Sequence, residues 1–206
     1  LAGGLREHSG FVDVLTSLQQ RHGGTIGGTW GAASSLAVAA IASARAKEQE
    51  GLVVVVVPHA VDADIFADDL ALFTSLGVDV LPALESIDDL SADNETLIND
   101  PAEAKRLANV KRLVAYSDES PRILVTSMQA VLTPLPDLRQ IEESTRHLTL
   151  GAQVDPQELA EWLTFRGWKQ VDTLDSPGSF ARRGGIIDLF ASDWERPVRL
   201  EINDDE

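Results

Sequence analysis

The feature that most constrains the fold of this chain is a run of five valines, Val53–Val57, followed directly by Pro58. β-Branched side chains favour extended backbone, and an unbroken apolar run is typical of a strand covered on both faces. Because proline cannot donate a hydrogen bond to a neighbouring strand, Pro58 predicts the end of this one. The run therefore predicts a strand buried on both faces inside a parallel sheet.

Helical and extended patterns alternate around this strand, which predicts a parallel sheet with helical crossovers. Residues 83–103 are polar and acidic without a clear period, and predict a loop. Apolar residues at helical spacing predict helices at 9–21, 33–47, 65–73 and 102–114. Short apolar runs predict strands at 24–27, 53–57, 78–81 and 122–126.

The pattern changes after residue 146, where we place a domain boundary between 1–146 and 147–206. A helix is predicted at 155–166, with Pro156 in its first turn, where the missing N–H costs no hydrogen bond. Short strands divided by Gly and Pro then predict an antiparallel, α+β unit. These strands are predicted at 147–150, 170–174, 179–189 (with a break at Gly184–Gly185) and 198–202. We expect this second domain to be incomplete at residue 206.

Composition narrows the classes of function. The chain has 206 residues, 44% of them hydrophobic, so we expect a packed core. Its net charge of −16 disfavours binding of duplex DNA, because that affinity comes largely from Lys and Arg on phosphates. The absence of cysteine excludes disulfides and thiolate catalysis. No apolar run approaches the length of a membrane span, so we expect a soluble, cytoplasmic protein without a membrane partner.

Residues 23–36 carry the outline of a phosphate-binding loop. Such a loop reads G-x-x-x-x-G-K-[ST], and its lysine reaches the β and γ phosphates. Here Gly27 holds the first position, and Gly31 is also present within the loop. Ala32 replaces the second glycine and Ala33 replaces the lysine, while Ser34 keeps the required hydroxyl. Without the lysine the transferring phosphoryl group loses a main support, so we expect no ATP hydrolysis. A plain Gly-rich turn between a strand and a helix, or a residual nucleotide site, are the alternatives.

Several segments together resemble the UvrB-like N-terminal region of the bacterial transcription-repair coupling factors, the Mfd family. Residues 31–36 look like that family's degenerate loop, and the segment from Pro177 to Phe190 is similar to a pattern shared by UvrB and Mfd. The resemblance implies a degenerate, RecA/UvrB-like P-loop domain of the α/β class, followed by a UvrA-binding domain of the α+β class. UvrB itself fits less well, because it has an intact phosphate loop and a tyrosine-rich hairpin, whereas this chain has one tyrosine, Tyr116.

The resemblance also implies what the second domain does. In this family it docks onto UvrA, the damage-recognition ATPase of nucleotide excision repair. Arg183–Gly184 matches the family's central arginine, Lys169 stands where relatives often carry Arg, and Arg182 is a neighbouring extra base. The competing interpretation is that the basic residues of this segment form local ion pairs with Asp172, Asp188 or Glu201, or simply solubilise strand edges. ATP, magnesium, RNA polymerase and DNA would be bound only by parts of such a protein beyond residue 206, and a nucleotide-binding fragment of a UvrB-like helicase is the alternative.

Two further groups of residues attract functional hypotheses. Trp30 could fill the vacated phosphate pocket, while the four tryptophans are otherwise expected to anchor the packing. Acidic side chains crowd residues 62–69, but a calcium loop would need a glycine turn and a terminal glutamate that this segment lacks. We therefore expect a solvated helix face there. The scattered histidines and serines show no spacing typical of a metal site or of serine catalysis.

Overall fold

The computed structural model describes residues 2–5, 7–47, 51–84, 101–115, 122–135 and 137–202. Most of the predicted loop at 83–103, together with Tyr116 and the acidic end at 205–206, lies outside the described residues. The helices are α1 (Ala2–Leu5), α2 (Ser9–Gln19), α3 (Ala32–Lys47), α4 (Ala60–Ala71), α5 (Pro101–Ala115), α6 (Met128–Leu132), α7 (Leu138–Glu143) and α8 (Pro156–Phe165). The strands are β1 (Val53–Val57), β2 (Val78–Leu81), β3 (Ile123–Ser127), β4 (Lys169–Gln170), β5 (Ser179–Arg183), β6 (Ile186–Phe190) and β7 (Val198–Glu201).

The chain divides into two compact units. The first comprises residues 1–83 and 112–133, and the second comprises 84–111 and 134–206. In this division residues 134–146 pack with the second unit. The boundary near residue 146 stays a prediction. It lies where the sequence pattern changes, whereas the division into units follows from contacts and does not test it.

The first unit is built on a three-stranded parallel sheet of order β1-β3-β2. This confirms the predicted α/β class and the parallel sheet. One face of the sheet packs against α3 and α4, where alanines on the helices allow close approach to the valines of the strands. The buried core of this layer consists of Ala39, Ala42, Val57, Ala63, Leu70, Val80, Ile123 and Val125.

The prediction that Val53–Val57 is buried on both faces is wrong. β1 lies at the edge of the sheet, and Val54 and Val56 are 51% and 46% exposed. The strand with both faces buried is the central one, β3, in which Thr126 satisfies its hydroxyl by donating to the Leu81 carbonyl at 3.2 Å. A run of valines predicts a strand, but it does not distinguish a central position from an edge.

Two further predicted strands are absent. Residues 24–27 are irregular and exposed, because glycines at this site offer no side chains that would hold an extended segment against the sheet. Residues 147–150 are also irregular, and Leu150 is fully exposed. A short apolar run becomes a strand only where a neighbour supplies the hydrogen bonds, and neither segment pairs with any described strand.

The second unit packs α8 against a four-stranded sheet of order β4-β5-β6-β7. Strands β5, β6 and β7 are antiparallel as predicted, but β4 runs parallel to β5, so the sheet is mixed. The predicted capped helix is confirmed: Asp155 accepts a hydrogen bond from the Gln157 amide at 2.7 Å, with Pro156 at the first position. Its core consists of Leu159, Ala160, Leu163, Phe180, Ile187 and Leu189.

Candidate partner-binding surface

The candidate site lies at the hairpin formed by β5 and β6. A two-residue turn joins the strands, and Gly184 in it has a φ of +62°, a conformation that side chains resist. Gly185 has a different constraint: a Cβ built on it would lie 2.5 Å from the Ile202 carbonyl oxygen. The Ile202 amide in turn donates to the Gly185 carbonyl at 2.8 Å. The break that the sequence predicts at Gly184–Gly185 is thus a tight turn, hydrogen-bonded to the segment after β7.

The register of the sheet assigns its residues to two faces. Phe180 pairs with Leu189, and both belong to the core beneath α8, so this side is the inner face. Alternation along β5 places Ala181 and Arg183 on the opposite, outer face. Across the hairpin, Arg183 pairs with Ile186, which is partly exposed.

Arg183 is exposed on the outer face and tethered at one point. Its guanidinium donates to the carbonyl of Asp172 at 3.0 Å, and no carboxylate pairs with it among the residues that the structure describes. The local ion pair that competes with a binding role is thus absent from the described partners of this arginine. An exposed guanidinium with spare donors is suited to a planar, two-bond contact with a carboxylate.

The structure does not bring Arg182 to the same face. Its side chain points to the α8 side, where the guanidinium hydrogen-bonds the side-chain oxygen of Gln157 and lies 3.4 Å from the Gly184 carbonyl. Adjacent residues on a strand face opposite ways, so Arg182 and Arg183 cannot both contact one flat partner. Gln157 is a partner that sequence reasoning missed, since nothing in the spacing of residues 157 and 182 connects them.

Lys169 does share the outer face with Arg183. It lies on β4 opposite Ser179, which is on the same side of β5 as Arg183. Four positions along β5 separate Ser179 from Arg183, so the two backbone sites are about 13 Å apart. Ser179 and Ala181, which share this face, are buried, so Lys169 and Arg183 are two separate exposed points at its ends and do not form a single cluster.

A bidentate ion pair lies beside Arg183 on this face. Arg199 Nε and Nη2 donate to the two oxygens of Asp188 at 2.7 and 2.9 Å. The hydrogen bond from Arg199, supported by the charges of Arg199 and Arg183, lowers the pKa of Asp188, while that of Arg199 is raised. The local ion pair anticipated from the sequence is therefore made by Arg199. It neutralises one base of the surface and leaves Arg183 without such a pair.

The Gly-rich loop of the first unit shows how the phosphate-loop outline folds. Gly28 and Gly31 have positive φ angles of 75° and 54°, and α3 begins at Ala32. The amides of Ala33 and Ser34 donate to the carbonyls of Trp30 and Gly31 at 3.2 and 3.1 Å. These N–H groups are those that a phosphate would engage at a helix start, and here they form internal turns.

Trp30 does not fill a pocket in this loop. Its side chain is 85% exposed, so the hypothesis that it occupies a vacated phosphate site is wrong. Trp162 and Trp168 do pack against the core of the second unit, whereas Trp194 is 39% exposed. Only two of the four tryptophans therefore serve as the expected packing anchors.

The described segments contain no group of three or more His, Asp or Glu side chains placed to hold a metal ion. Nor does any helix in them have the length and apolarity that crossing a membrane requires.

Comparison with known proteins gives consistent relatives. Residues 147–206 match the family described as the UvrB interaction domain. The chain is 28% identical over 202 residues to the transcription-repair-coupling factor of Bacillus subtilis (strain 168), covering 98% of this chain and 16% of that protein. It is 31% identical over 211 residues to that of Mycobacterium tuberculosis (strain CDC 1551 / Oshkosh), with the same two coverages of 98% and 16%. UvrABC system protein B of Psychromonas ingrahamii is 31% identical over 115 residues, 55% of this chain and 17% of that protein.

These matches bear directly on the resemblance seen in the sequence. It is confirmed, since transcription-repair-coupling factors align with nearly the whole chain and the UvrB interaction domain aligns with its last part. The chain spans only about a sixth of the length of these coupling factors.

Proposed function

We propose, from the relation of this chain to the transcription-repair-coupling factors over 98% of its length, that it is the non-catalytic module through which such a factor recruits UvrA in nucleotide excision repair. The observation that carries the proposal is the match of residues 147–206 to the UvrB interaction domain, in the unit that presents Arg183. In this proposal UvrA is the direct partner and the setting is the cytoplasm. RNA polymerase, DNA, ATP and magnesium are engaged by other parts of the longer protein.

The proposed contact is the hairpin end of the outer face of the second sheet, with Arg183 at its centre and Gly184 beside it, while Lys169 adds a peripheral contact from the other end of that face. Arginine is favoured at the centres of protein interfaces because its planar group makes paired hydrogen bonds. The bond from Arg183 to the Asp172 carbonyl restrains the side chain before binding. A restrained side chain loses less conformational entropy on association, which favours affinity.

Arg182 has a different part in this proposal. Its guanidinium is bonded to Gln157 of α8 on the inner face, so it supports the hairpin end and does not itself meet the partner. The pair of adjacent arginines thus offers an internal comparison: equal charge, neighbouring positions and opposite faces.

The test is binding of purified UvrA to immobilised chain. Arg183→Glu is expected to weaken binding by about thirtyfold or more, since removal of a central interface arginine costs about 2 kcal/mol. Arg196→Glu is the matched control, because Arg196 is exposed in the same unit and undergoes the same charge change. Arg182→Ala is expected to reduce binding less than Arg183→Ala. Unchanged UvrA binding by a folded Arg183→Glu variant would reject the proposed surface.

The alternative function is a nucleotide-binding fragment of a UvrB-like helicase. What favours it is the Gly-rich loop that opens α3 and retains the hydroxyl of Ser34. What disfavours it is the neutral Ala33 in the lysine position and the internal hydrogen bonds of the amides at 33 and 34. We therefore propose that this region does not hydrolyse ATP.

Trp30 supplies a reporter for that alternative, because it is an exposed indole within the loop. Titration with magnesium–ATP is expected to leave its fluorescence unchanged into the millimolar range. The fluorescence change of the Trp30→Phe variant is subtracted from that of the unchanged chain. This subtraction removes the contribution of the other tryptophans. A saturable change carried by Trp30 favours the nucleotide-binding fragment.

A further inference from the structure

The outward side of α4 carries an apolar stripe that the first unit does not use. Val61, Ile65 and Leu72 are 68%, 59% and 74% exposed. Val61 and Ile65 are four positions apart on α4, and Leu72, the residue after its last turn, follows seven positions later with helical backbone, so the three lie along one side. The opposite side of α4 faces the sheet through Ala63 and Leu70, which are buried. The stripe is therefore additional to the face that holds the helix in the fold.

Aspartates border this stripe on both sides. Asp64 lies along one border, Asp62 and Asp69 lie along the other, and Asp68 lies at the row itself, between Ile65 and Leu72. No Lys or Arg occurs in Ala60–Ala71, and none of the four carboxylates forms an ion pair with any residue that the structure describes. Scattered exposed apolar residues are ordinary on a protein surface, but three on one side of a helix, with four aspartates beside and between them, form an organised feature.

The neighbouring helix α6 also exposes apolar side chains. α6 contacts α4 and begins directly after β3, as α4 begins just after β1, so both helices start at the same edge of the parallel sheet. α6 presents three exposed apolar side chains of its own: Met128, Val131 and Leu132.

We propose that the α4 stripe docks an amphipathic helix of another polypeptide, one whose apolar side chains are bordered by Lys and Arg. Such a helix matches the surface in both respects: its apolar row covers Val61, Ile65 and Leu72, and its cations meet the aspartates. From Val61 to Leu72 the stripe is about 16 Å long, enough for about three turns of a partner helix. The inference is independent of the proposed UvrA surface, which lies in the other unit.

The same charges disfavour other occupants. Nucleic acid and anionic membrane are repelled by an acidic border, because both are bound through Lys and Arg. Pairing of two copies through α4 would bring together two acidic borders with no intervening cation. A metal ion is disfavoured because the described carboxylates do not gather into a metal-holding group.

The first experiment uses a designed probe: a fluorescent three-turn helical peptide with a leucine stripe and lysine borders. Fluorescence anisotropy is expected to show saturable binding, which Ile65→Ser weakens by about tenfold. Asp64→Asn with Asp68→Asn is expected to weaken binding and to reduce its dependence on salt. The same peptide with glutamate borders is expected not to bind the unchanged chain, and to bind an Asp64→Lys, Asp68→Lys variant.

The control must separate docking from general attraction between a basic peptide and a chain of net charge −16. Glu7→Gln with Asp13→Asn removes the same charge from exposed sites of the first unit outside the stripe. This control is expected to leave peptide binding within about twofold of the unchanged chain. Equal losses in the control and in the α4 variant, or full binding by a folded Ile65→Ser variant, overturn the proposal.

The second experiment identifies the occupant. A photo-crosslinking residue at position 65 is introduced in the producing organism, with one at Val12 on α2 as the exposed control, and products are sequenced by mass spectrometry. The expected result is a cross-link to another polypeptide, at a segment with helical apolar spacing and Lys or Arg borders. A homodimer, a cross-link only within the same polypeptide, a partner segment lacking this pattern, or no product specific to position 65 overturns the proposal.

Discussion

Gly185 offers the sharpest test of how the hairpin is held. The Cβ of an alanine at this position would lie 2.5 Å from the Ile202 carbonyl oxygen, far inside van der Waals contact. The clash is with backbone, so it is relieved only by moving the segment after β7 or the turn itself. That movement also lengthens the 2.8 Å hydrogen bond from the Ile202 amide to the Gly185 carbonyl.

The magnitude follows from these two terms. Overpacking of this kind costs about 1–3 kcal/mol. Weakening one backbone hydrogen bond costs about 1 kcal/mol more. We therefore expect Gly185→Ala to destabilise the second unit by about 2–4 kcal/mol. Gly184→Ala is the matched control, because a Cβ there meets nothing within 4 Å and only the φ of +62° is unfavourable, at a cost of about 1–2 kcal/mol.

The assay is urea unfolding followed by tryptophan fluorescence. Trp162 and Trp168 pack against the core of the second unit, so their emission reports on this unit. Gly185→Ala should shift the unfolding midpoint to lower urea by more than Gly184→Ala does. If the two variants have the same urea midpoint, or if Gly184→Ala has the lower one, then the close approach of Ile202 is not the reason that residue 185 is a glycine.

Three further predictions concern single contacts of the second unit. Asp155→Ala removes the acceptor for the Gln157 amide and should lower the free energy of unfolding by about 1 kcal/mol, whereas Asp155→Ser should recover most of it. Leu163→Ala opens a cavity in the core beneath α8 and should cost about 2–5 kcal/mol by urea unfolding, while Thr164→Ala, on the exposed side, should cost much less. The lowered pKa of Asp188 means that its ion pair with Arg199 stabilises the fold above the unfolded-state pKa of about 3.9 and is lost as the pH falls through the lower folded-state value. The stability difference between the chain and Asp188→Asn should therefore be largest near pH 7 and vanish toward pH 2, and a pH-independent difference would contradict the assignment.

The elements of the fold were predictable where local pattern and tertiary packing agree. The helix at 156–165 has its cap, its first-turn proline and its apolar spacing in one short segment, and it forms as predicted. Val53–Val57 is a strand because β-branched residues favour extended backbone anywhere in a sheet. Its edge position depends on β3, which is some seventy residues away in the sequence. No local pattern contains that information.

The candidate site was predictable in composition but not in arrangement. The cluster of bases around Arg183 is visible in the sequence, and strand alternation alone would separate Arg182 from Arg183. Which of the two faces the solvent depends on where α8 packs, and that depends on the buried contacts of Phe180 and Leu189. The pairing of Asp188 with Arg199 likewise requires the register of β6 against β7. The signal in the sequence that separates the two arginines is the alternation along β5: Phe180 and Arg182 lie on one face, and Ala181 and Arg183 lie on the other.

The position of β1 has a consequence for how this chain behaves at high concentration. The Val53 amide donates to the Arg122 carbonyl at 2.9 Å, and alternation then turns the amides of Val54 and Val56 away from β3. No strand in the described part of the chain pairs with these amides, and a valine-rich strand with such an edge is a template for strand addition and fibril growth. Repulsion between chains of net charge −16 opposes that association near neutral pH. Acidification reduces the net negative charge and with it the repulsion between chains. Turbidity and thioflavin-positive aggregates are therefore expected to appear first at mildly acidic pH. The double variant Val54→Lys, Val56→Lys is expected to suppress them, because lysines on an edge strand oppose strand addition.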